Sequence, residues 1–193
     1  MALAKSRFSN RQAGFSLLEV TIATGIMAGA LVTLGQMFAV SVSNNKAARS
    51  LSVSTVLAEQ KMEQLRGLTW GFDTLGLPVS YTTTNTAAPV ETPTGGTGLA
   101  PSPHGTLTAN MDGWVDYVDQ FGNIISGGPV PPPKTAFIRR WAIEPLPSNP
   151  NNTIVLHVLV TRRPNRGSAD ADGSTVRLPD EARLVSVKTR KAQ

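Results

Sequence analysis

One carboxylate lies at the start of the longest uncharged part of the chain. Glu19 is followed by Val20–Ser43, which contains no Asp, Glu, Lys or Arg. An ionised side chain in an apolar helix costs several kcal/mol even on the milder membrane-insertion scales, so such a residue is expected to have a partner and a function. The chemistry that Glu19 offers is the neutralisation of a cation in apolar surroundings.

No catalytic motif accompanies this carboxylate. The sequence has no phosphate-binding Gly-x-x-x-x-Gly-Lys, no Gly-x-Ser-x-Gly and no His-Glu-x-x-His. Its two histidines, His104 and His157, fall in a predicted loop and on a predicted strand. The chain has no cysteine, which excludes disulfides, a thiol nucleophile and a cysteine-based zinc site. We therefore predict that the protein is not an enzyme.

The residues before Glu19 form a short basic leader. Met1–Gly14 carries Lys5, Arg7 and Arg11 and no acid. The uncharged run after Glu19 is long enough to cross a hydrocarbon layer of about 30 Å as a helix. Because basic residues stay on the cytoplasmic side, we expect the N-terminus inside and the residues after Ser43 outside.

The order of these features resembles the class III signal of type IV pilins and type II secretion pseudopilins. The residues that carry the resemblance are Gly14, then Phe15-Ser16-Leu17-Leu18-Glu19-Val20, then the apolar run. In that family a prepilin peptidase cuts after the glycine and the new N-terminal phenylalanine is N-methylated. The glutamate pairs with the N-terminal ammonium of a neighbouring subunit. The resemblance implies cleavage between Gly14 and Phe15 and an assembly role for Glu19.

Two later segments resemble a narrower group within the family. Val56–Gly67 and Arg139–Ile143 are similar to segments of PilV-like minor pilins and of I-type pseudopilins. The resemblance implies a minor pilin, a structural subunit of a type IV pilus or its initiation complex; the alternative is a minor pseudopilin of type II secretion. The implied partners are other pilin or pseudopilin subunits, the prepilin peptidase, the inner-membrane assembly platform and, before assembly, membrane lipid.

The implied location is the inner membrane, crossed once with the head in the periplasm, and afterwards the pilus or pseudopilus. A third hypothesis is a periplasmic protein: a binding protein held by a single membrane anchor, or a binding or enzymatic protein exported with a conventional signal peptide. In the second case Ala39-Val40-Ser41 is the small-residue cleavage site, and the exported chain starts at Val42.

A single helix is predicted from Phe15 to about Arg66. No proline occurs between Phe15 and Leu77, and Gly67 is placed to cap the helix. Residues 15–43 are apolar on all sides, as in a membrane or filament core, whereas residues 44–67 carry one apolar stripe. The stripe consists of Ala48, Leu51, Thr55, Ala58, Met62 and Leu65.

Residues 68–193 are predicted to form a globular head. β-Branched and aromatic residues between turn-rich stretches predict antiparallel strands near 114–125, 135–143, 153–163 and 182–191. Residues 78–108 are predicted to be a surface loop, because their Thr, Pro and Gly residues are poor core formers. A sheet packed against a long N-terminal helix makes the predicted fold class α+β, and the resemblance makes it pilin-like.

The charge of the chain is mainly a topology signal. The net charge is +5, and the leader carries three basic residues, so the processed chain carries +2. We therefore do not expect nucleic acid as a partner. Asp112, Asp116 and Asp119 are expected to be solvated. The later basic residues are expected on solvated strand faces: Arg139, Arg140, Arg162, Arg163, Arg166, Arg183, Lys188, Arg190 and Lys191.

One stretch resembles half of a calcium-binding loop. Asp170-Ala171-Asp172-Gly173-Ser174 has alternate carboxylates and a glycine, and major pseudopilins are known for calcium in the C-terminal region. The position of the bidentate acid of an EF-hand falls on Pro179, so that motif is excluded, although Asp180 or Glu181 could substitute in another geometry. Calcium on Asp170 and Asp172 is one interpretation; the other, which we favour, is a polar turn without a cofactor.

Overall fold

The computed structural model describes residues 14–87, 91–163 and 181–190. In this part of the chain one helix is followed by seven strands. They are α1 (Leu17–Gly67), β1 (Trp70–Phe72), β2 (Pro78–Ser80), β3 (Val115–Val118), β4 (Ile124–Gly127), β5 (Phe137–Pro145), β6 (Thr153–Arg162) and β7 (Ala182–Thr189). The chain divides into two compact units, Met1–Asn45 and Lys46–Gln193.

The first unit contains the N-terminal part of α1. Its described residues are all exposed, including large apolar side chains such as Phe15, Ile26 and Phe38. By its length and composition, α1 is long and apolar enough to span a membrane. Threonine hydroxyls in this part donate to carbonyl oxygens three or four residues earlier, which keeps the helix surface apolar. These are Thr21, Thr24 and Thr33.

The second unit is built on a five-stranded antiparallel sheet in the order β4-β3-β5-β6-β7. Strands β5, β6 and β7 form a meander in which Trp141 pairs with Val158, and Val158 with Leu184. A separate antiparallel pair joins β1 to β2. The inner face of β6 is buried, as its alternating pattern predicts: Ile154, Leu156, Val158 and Val160.

The C-terminal part of α1 packs on the inner face of this sheet. Leu57, Met62 and Leu65 from the helix share one buried apolar cluster with Trp141 and Val158 from the sheet. This burial is the main source of stability for a helix of this kind. The predicted α+β fold class, a long N-terminal helix on an antiparallel sheet, is confirmed.

The buried side of α1 differs from the predicted stripe. The helix buries Ser50, Ser54, Leu57, Ala58, Lys61, Met62 and Leu65. The predicted residues from Ala58 onward are buried. The earlier ones lie on a neighbouring face of the helix, since Leu51 is exposed. The serines and Lys61 are polar, so a search for apolar residues passes over positions that the 3.6-residue period places inside.

The predicted surface loop 78–108 has a more definite structure than expected. It begins with β2, and Leu99 is fully buried within it. A Cβ on Gly96 would lie 2.2 Å from the Asn85 Cα, and one on Gly98 would lie 2.3 Å from a backbone oxygen. These glycines therefore allow one backbone segment to pack directly on another. The glycine-rich composition predicts a surface loop, whereas here the glycines allow close packing.

The residue after β7 fixes the β1–β2 pair. The Arg190 guanidinium lies 3.8 Å from the centroid of the Trp70 ring and donates to the carbonyl oxygens of Gly71 (3.0 Å) and Val79 (3.1 Å). Stacking on an aromatic face together with hydrogen bonding is typical of arginine. The expectation that Arg190 is merely solvated was wrong.

Lys188 makes a comparable link to the end of α1. Its ammonium donates to the carbonyl oxygens of Arg66 and of Leu68. The last carbonyls of a helix have no partner within the helix, and a cation there also interacts favourably with the helix dipole. Gly67, which was predicted to cap the helix, is its final residue. Its φ is not positive, so it does not adopt the left-handed conformation of a capping glycine.

Candidate functional site

The segment around the predicted cleavage point precedes the helix. Gly14, Phe15 and Ser16 have non-helical backbone and are exposed. The Ser16 hydroxyl accepts a hydrogen bond from the Leu18 N–H (3.3 Å), and the Ser16 carbonyl accepts one from the Val20 N–H (3.1 Å). Ser16 is therefore the N-cap, which explains why α1 begins after the predicted Phe15. The Gly14–Phe15 bond lies in exposed, non-helical backbone.

Glu19 lies in the first turn of α1. Within the described residues its carboxylate has neither a hydrogen-bond donor nor an ion-pair partner. It borders a shallow groove shared with Leu18, Ile22 and Ile26, which are exposed apolar residues. The described part of the chain thus presents an acid on an apolar surface and leaves its charge unbalanced.

Glu19 also has a local structural role available to it. Ser16-x-x-Glu19 has the spacing of a capping box, in which the glutamate can bond the N–H of the N-cap residue. An acid in the first turn further interacts favourably with the helix dipole. Glutamine can make the same capping bond, whereas only a carboxylate can neutralise an ammonium. The two roles are therefore separable by removing the charge alone.

A second group of charged side chains is buried between α1 and the sheet. Asp116 of β3 and Arg139 of β5 form a bidentate pair, with Nε to Oδ1 at 2.8 Å and Nη2 to Oδ2 at 2.9 Å. The Lys61 ammonium of α1 lies 2.9 Å from Asp116 Oδ2. Arg139 Nη1 also donates to the Leu57 carbonyl (3.0 Å) and to the Gln60 side chain (3.1 Å). We call Lys61, Asp116 and Arg139 the buried ion cluster.

The Lys61 ammonium is satisfied on every side. Besides Asp116 it donates to the Thr86 carbonyl oxygen and to Gln64 Oε1 (3.0 Å). Its Nζ lies 3.9 Å from the centroid of the Trp141 ring. A desolvated ammonium over an aromatic face is worth about 2 kcal/mol or more. This contact places the buried Lys61 against the ring of a fully buried tryptophan.

The buried ion cluster carries two cations and one anion. Desolvation lowers the pKa of Lys61 from 10.5 to about 8; the Asp116 charge opposes this shift, and the Arg139 charge adds to it. All three side chains are closed to solvent, at most 1% exposed. A group without access to a substrate can tie α1 to β3 and β5 but cannot catalyse a reaction. Its role is structural.

The expectation that Asp116 and Arg139 are solvated was therefore wrong. The two residues pair directly across β3 and β5, so their opposite charges neutralise each other inside the sheet. The sequence contains one indication of this burial. Asp116 lies between the large residues Val115 and Tyr117, and Lys61 lies between the apolar residues Ala58 and Leu65 on one helix face.

The other two aspartates do not join Asp116. Asp112 is exposed. The Asp119 carboxylate accepts hydrogen bonds from the backbone N–H groups of Phe121 (2.8 Å) and Asn123 (2.9 Å) in the β3–β4 turn. These hydrogen bonds, with the side-chain amide of Asn123 as the largest contribution, lower the pKa of Asp119 below its usual value. Asp119 is thus a turn-forming residue.

Neither histidine is part of a reactive group. His104 is exposed in the connection between β2 and β3. The His157 Nε2 on β6 lies 3.8 Å from Glu144 Oε2. Burial lowers the pKa of His157 below 6.5, against the attraction of Glu144. His157 is therefore mainly neutral near pH 7.

The calcium candidates Asp170 and Asp172 lie outside the described residues. Among the residues that are described, no three His, Asp or Glu side chains converge in a way that could hold a metal ion. The interpretation of the Asp170–Ser174 stretch accordingly stays a prediction from sequence.

Comparison of the chain with models of known protein families, with curated proteins and with solved structures gave no match. The resemblance to pilins therefore stays a prediction from the sequence.

We expect Asp116→Asn to destabilise the second unit strongly. The amide leaves Lys61 and Arg139 as two buried cations without a counter-charge, and breaking a buried ion pair in this way costs about 3–5 kcal/mol. Thermal unfolding of the purified full-length chain in detergent measures the loss. Asp112→Asn, the same change at an exposed position, is the control and should have little effect. Equal unfolding midpoints for the two variants would contradict the assigned role of the buried ion cluster.

Lys61 should make the stability of the fold rise with pH. Its pKa is about 8 in the folded chain against 10.5 for the free side chain. The unfolded chain therefore binds more protons between these values, and the free energy of unfolding increases from pH 8 to about 10. Above pH 10 the burial-raised pKa of Tyr117 acts in the opposite direction. Urea unfolding over this pH range measures the slope.

Lys61→Met is the matched variant for this measurement. It removes the titrating group and keeps the neutral Asp116–Arg139 pair, so its free energy of unfolding should rise less between pH 8 and about 10. The same slope in the variant and in the unmodified chain would show that the pKa of Lys61 is not lowered by folding.

Proposed function

We propose that the chain is a type IV pilin-like subunit, processed between Gly14 and Phe15 and assembled into a filament through Glu19. The observation that carries the proposal is the Glu19 carboxylate, which lies on an exposed apolar helix face without a partner in the described part of the chain. The basic leader, the exposed Gly14–Phe15 bond and the α+β fold support it.

The proposed assembly step is a charge neutralisation. Cleavage after Gly14 leaves an ammonium on Phe15, about one helical turn from Glu19. Each charge alone is costly in apolar surroundings, whereas an ammonium and a carboxylate in contact attract strongly at low dielectric constant. When the ammonium of one subunit meets Glu19 of a neighbour, both costs fall. Subunits then leave the membrane as neutral pairs.

The apolar surface of α1 supplies the rest of the proposed contact. Gly25 and Gly29 form a small-xxx-small pair, and a Cβ built on either one would meet nothing within 4 Å. Small residues at this spacing let two helices approach closely in an apolar medium. The helix face that contains them is open to a neighbouring helix.

Within the family, we propose a minor pilin. Val56–Gly67 and Arg139–Ile143, the segments that resemble minor pilins and I-type pseudopilins, contribute Lys61 and Arg139 to the buried ion cluster. The resemblance thus covers residues that hold the helix to the sheet. The proposed partners are other pilin subunits, the prepilin peptidase and the inner-membrane assembly platform. The proposed location is the inner membrane with the head outside, and then the filament.

A minor pseudopilin of type II secretion is the second candidate, because the charge pairing proposed for Glu19 applies to it equally. The identity of the assembly genes beside this one distinguishes the two candidates. A pilus operon supports the minor pilin, and a secretion operon supports the pseudopilin.

We expect Glu19→Gln and Glu19→Ala to be cleaved normally and to be lost from filaments. Removal of the charge leaves the ammonium of the neighbouring subunit unpaired in an apolar interior, and each 1.4 kcal/mol of lost binding is about tenfold in affinity. Incorporation should therefore fall about tenfold or more. The measurement is the fraction of the chain in sheared filaments relative to the membrane fraction, by quantitative immunoblot.

Glu59→Gln, the same substitution at an exposed glutamate later in α1, is the control and should assemble as the unmodified chain does. Glu19→Gln retains the side-chain oxygen with which a capping-box bond to the Ser16 N–H can form. If Glu19→Gln assembled normally while Glu19→Ala did not, Glu19 would act as a helix cap and the proposed charge pairing would be wrong.

A further inference from the structure

The β3–β4 turn presents an aromatic side chain to solvent. Phe121 at its tip is 79% exposed. The turn is fixed by the Asp119 carboxylate, which accepts two backbone N–H groups and the side-chain amide of Asn123 (3.0 Å), and by Gly122 at φ +90°. An aromatic anchor on a rigid turn loses little conformational entropy on binding, and such residues dominate binding energy at interfaces.

The opposite edge of the same sheet carries an exposed apolar surface. We call it the β6–β7 patch; it consists of the exposed Val185 and Val187 and, beside them, the half-buried Val155, His157 and Leu159, of which His157 is polar. In the sheet Val155 pairs with Val187 and His157 with Val185. Val185 and Val187 are 56% and 62% exposed, and β7 is the edge strand. An exposed apolar edge strand is a surface that other chains tend to bind.

The other half of this sheet face is covered by the chain itself. Val115, Tyr117 and Ile138 form a separate buried cluster on it. The Tyr117 hydroxyl donates to the Gly128 carbonyl (2.7 Å), which holds the following connection against this half. In the described part of the chain, the outer face is therefore closed over β3 and β5 and open over β6 and β7.

The charge of the turn is complementary to that of one end of the patch. Asp119 gives the turn a negative charge beside Phe121, and its hydrogen bonds favour the ionised form. Arg183 is exposed and pairs with Leu159 at one end of the β6–β7 patch. Glu144 pairs with Val155 at the other end. A partner that brings an aromatic ring onto Val185 and an acid toward Arg183 fits this arrangement.

We propose that the β3–β4 turn of one copy of this chain docks on the β6–β7 patch of a second copy, with Phe121 against Val185 and Val187 and Asp119 toward Arg183. The two surfaces lie at opposite edges of one sheet, so the contact is heterologous. A heterologous contact leaves a free turn on one copy and a free patch on the other, and it builds an open series rather than a two-fold dimer.

The inference deepens the proposed function, since it rests on neighbouring copies being held side by side in a filament or its initiation complex. It adds a contact between heads to the contact made by Glu19. Two or more copies of the chain are then adjacent in the assembly.

Disulfide cross-linking tests the contact with little background, because the chain has no cysteine. Full-length Phe121→Cys and Val185→Cys, carrying tags of different size, are co-expressed and oxidised in whole cells. We expect one disulfide-linked dimer, formed between the two different variants. The double variant F121C/V185C should give a ladder of oligomers on a non-reducing gel. All these positions are exposed, so the core is left intact.

Val130→Cys is the matched control, since Val130 is 75% exposed but belongs neither to the turn nor to the patch. It should give no dimer with Val185→Cys. Dimers of Val185→Cys alone would mean a two-fold pairing of β7 edges and would overturn the inference. The absence of any dimer would also overturn the inference. If the N-terminal mass of those chains still showed correct processing, the proposed function would stand.

Maleimide labelling of Val185→Cys in the purified detergent-solubilised monomer completes the test. We expect rapid labelling. Protection of this cysteine in the monomer would mean that another part of the same chain occupies the patch, and would also overturn the inference.

Discussion

The arrangement of the second unit depends on the ion pairs of the buried Asp116 carboxylate. The carboxylate binds Arg139 from the adjacent strand and Lys61 from α1 in a region closed to solvent. Taking three ions out of water is costly, and the cost is offset only when the ions contact one another in good geometry and their remaining donors are hydrogen-bonded. That condition fixes the pairing of β3 with β5 and the rotation of α1 about its axis. Because the chain has no cysteine, noncovalent contacts alone must maintain this geometry.

The proposed function gives this arrangement a purpose. A subunit that is drawn out of a membrane by its helix needs the helix to stay attached to the sheet. The apolar contacts of Leu57, Met62 and Leu65 provide burial, and they tolerate sliding or rotation better than directional hydrogen bonds do. The bidentate Arg139–Asp116 pair and the Lys61 ammonium over Trp141 define one position. In this view the buried ion cluster determines the position of α1 on the sheet, and the apolar cluster provides the stability.

The sequence predicted those parts of the fold that follow from apolar periodicity. The alternation of Ile154 to Val160 identified β6 and its inner face, and the meander β5-β6-β7 followed from the turn-rich stretches between the strands. It did not predict that Lys61, Asp116 and Arg139 are inside, because a charged residue is normally assigned to solvent until its partner is known. The partners are separated by 55 and 23 residues, so only the folded chain brings them together. The packing of Gly96 and Gly98 was missed for the same reason, since close backbone contacts leave no mark in a composition.

The two carboxylates in apolar surroundings differ in where their partners are. Asp116 finds both of its cations in its own chain, whereas Glu19 has none among the described residues, and we infer that a new N-terminal ammonium of a neighbouring subunit supplies one. The most direct measurement is the N-terminal mass of the chain recovered from the cell envelope. We expect the mature chain to begin at Phe15 and to carry a methyl group on its amine. A chain that keeps Met1–Gly14 while it is part of a filament, or one that begins at Val42, would contradict the proposed origin of that charge.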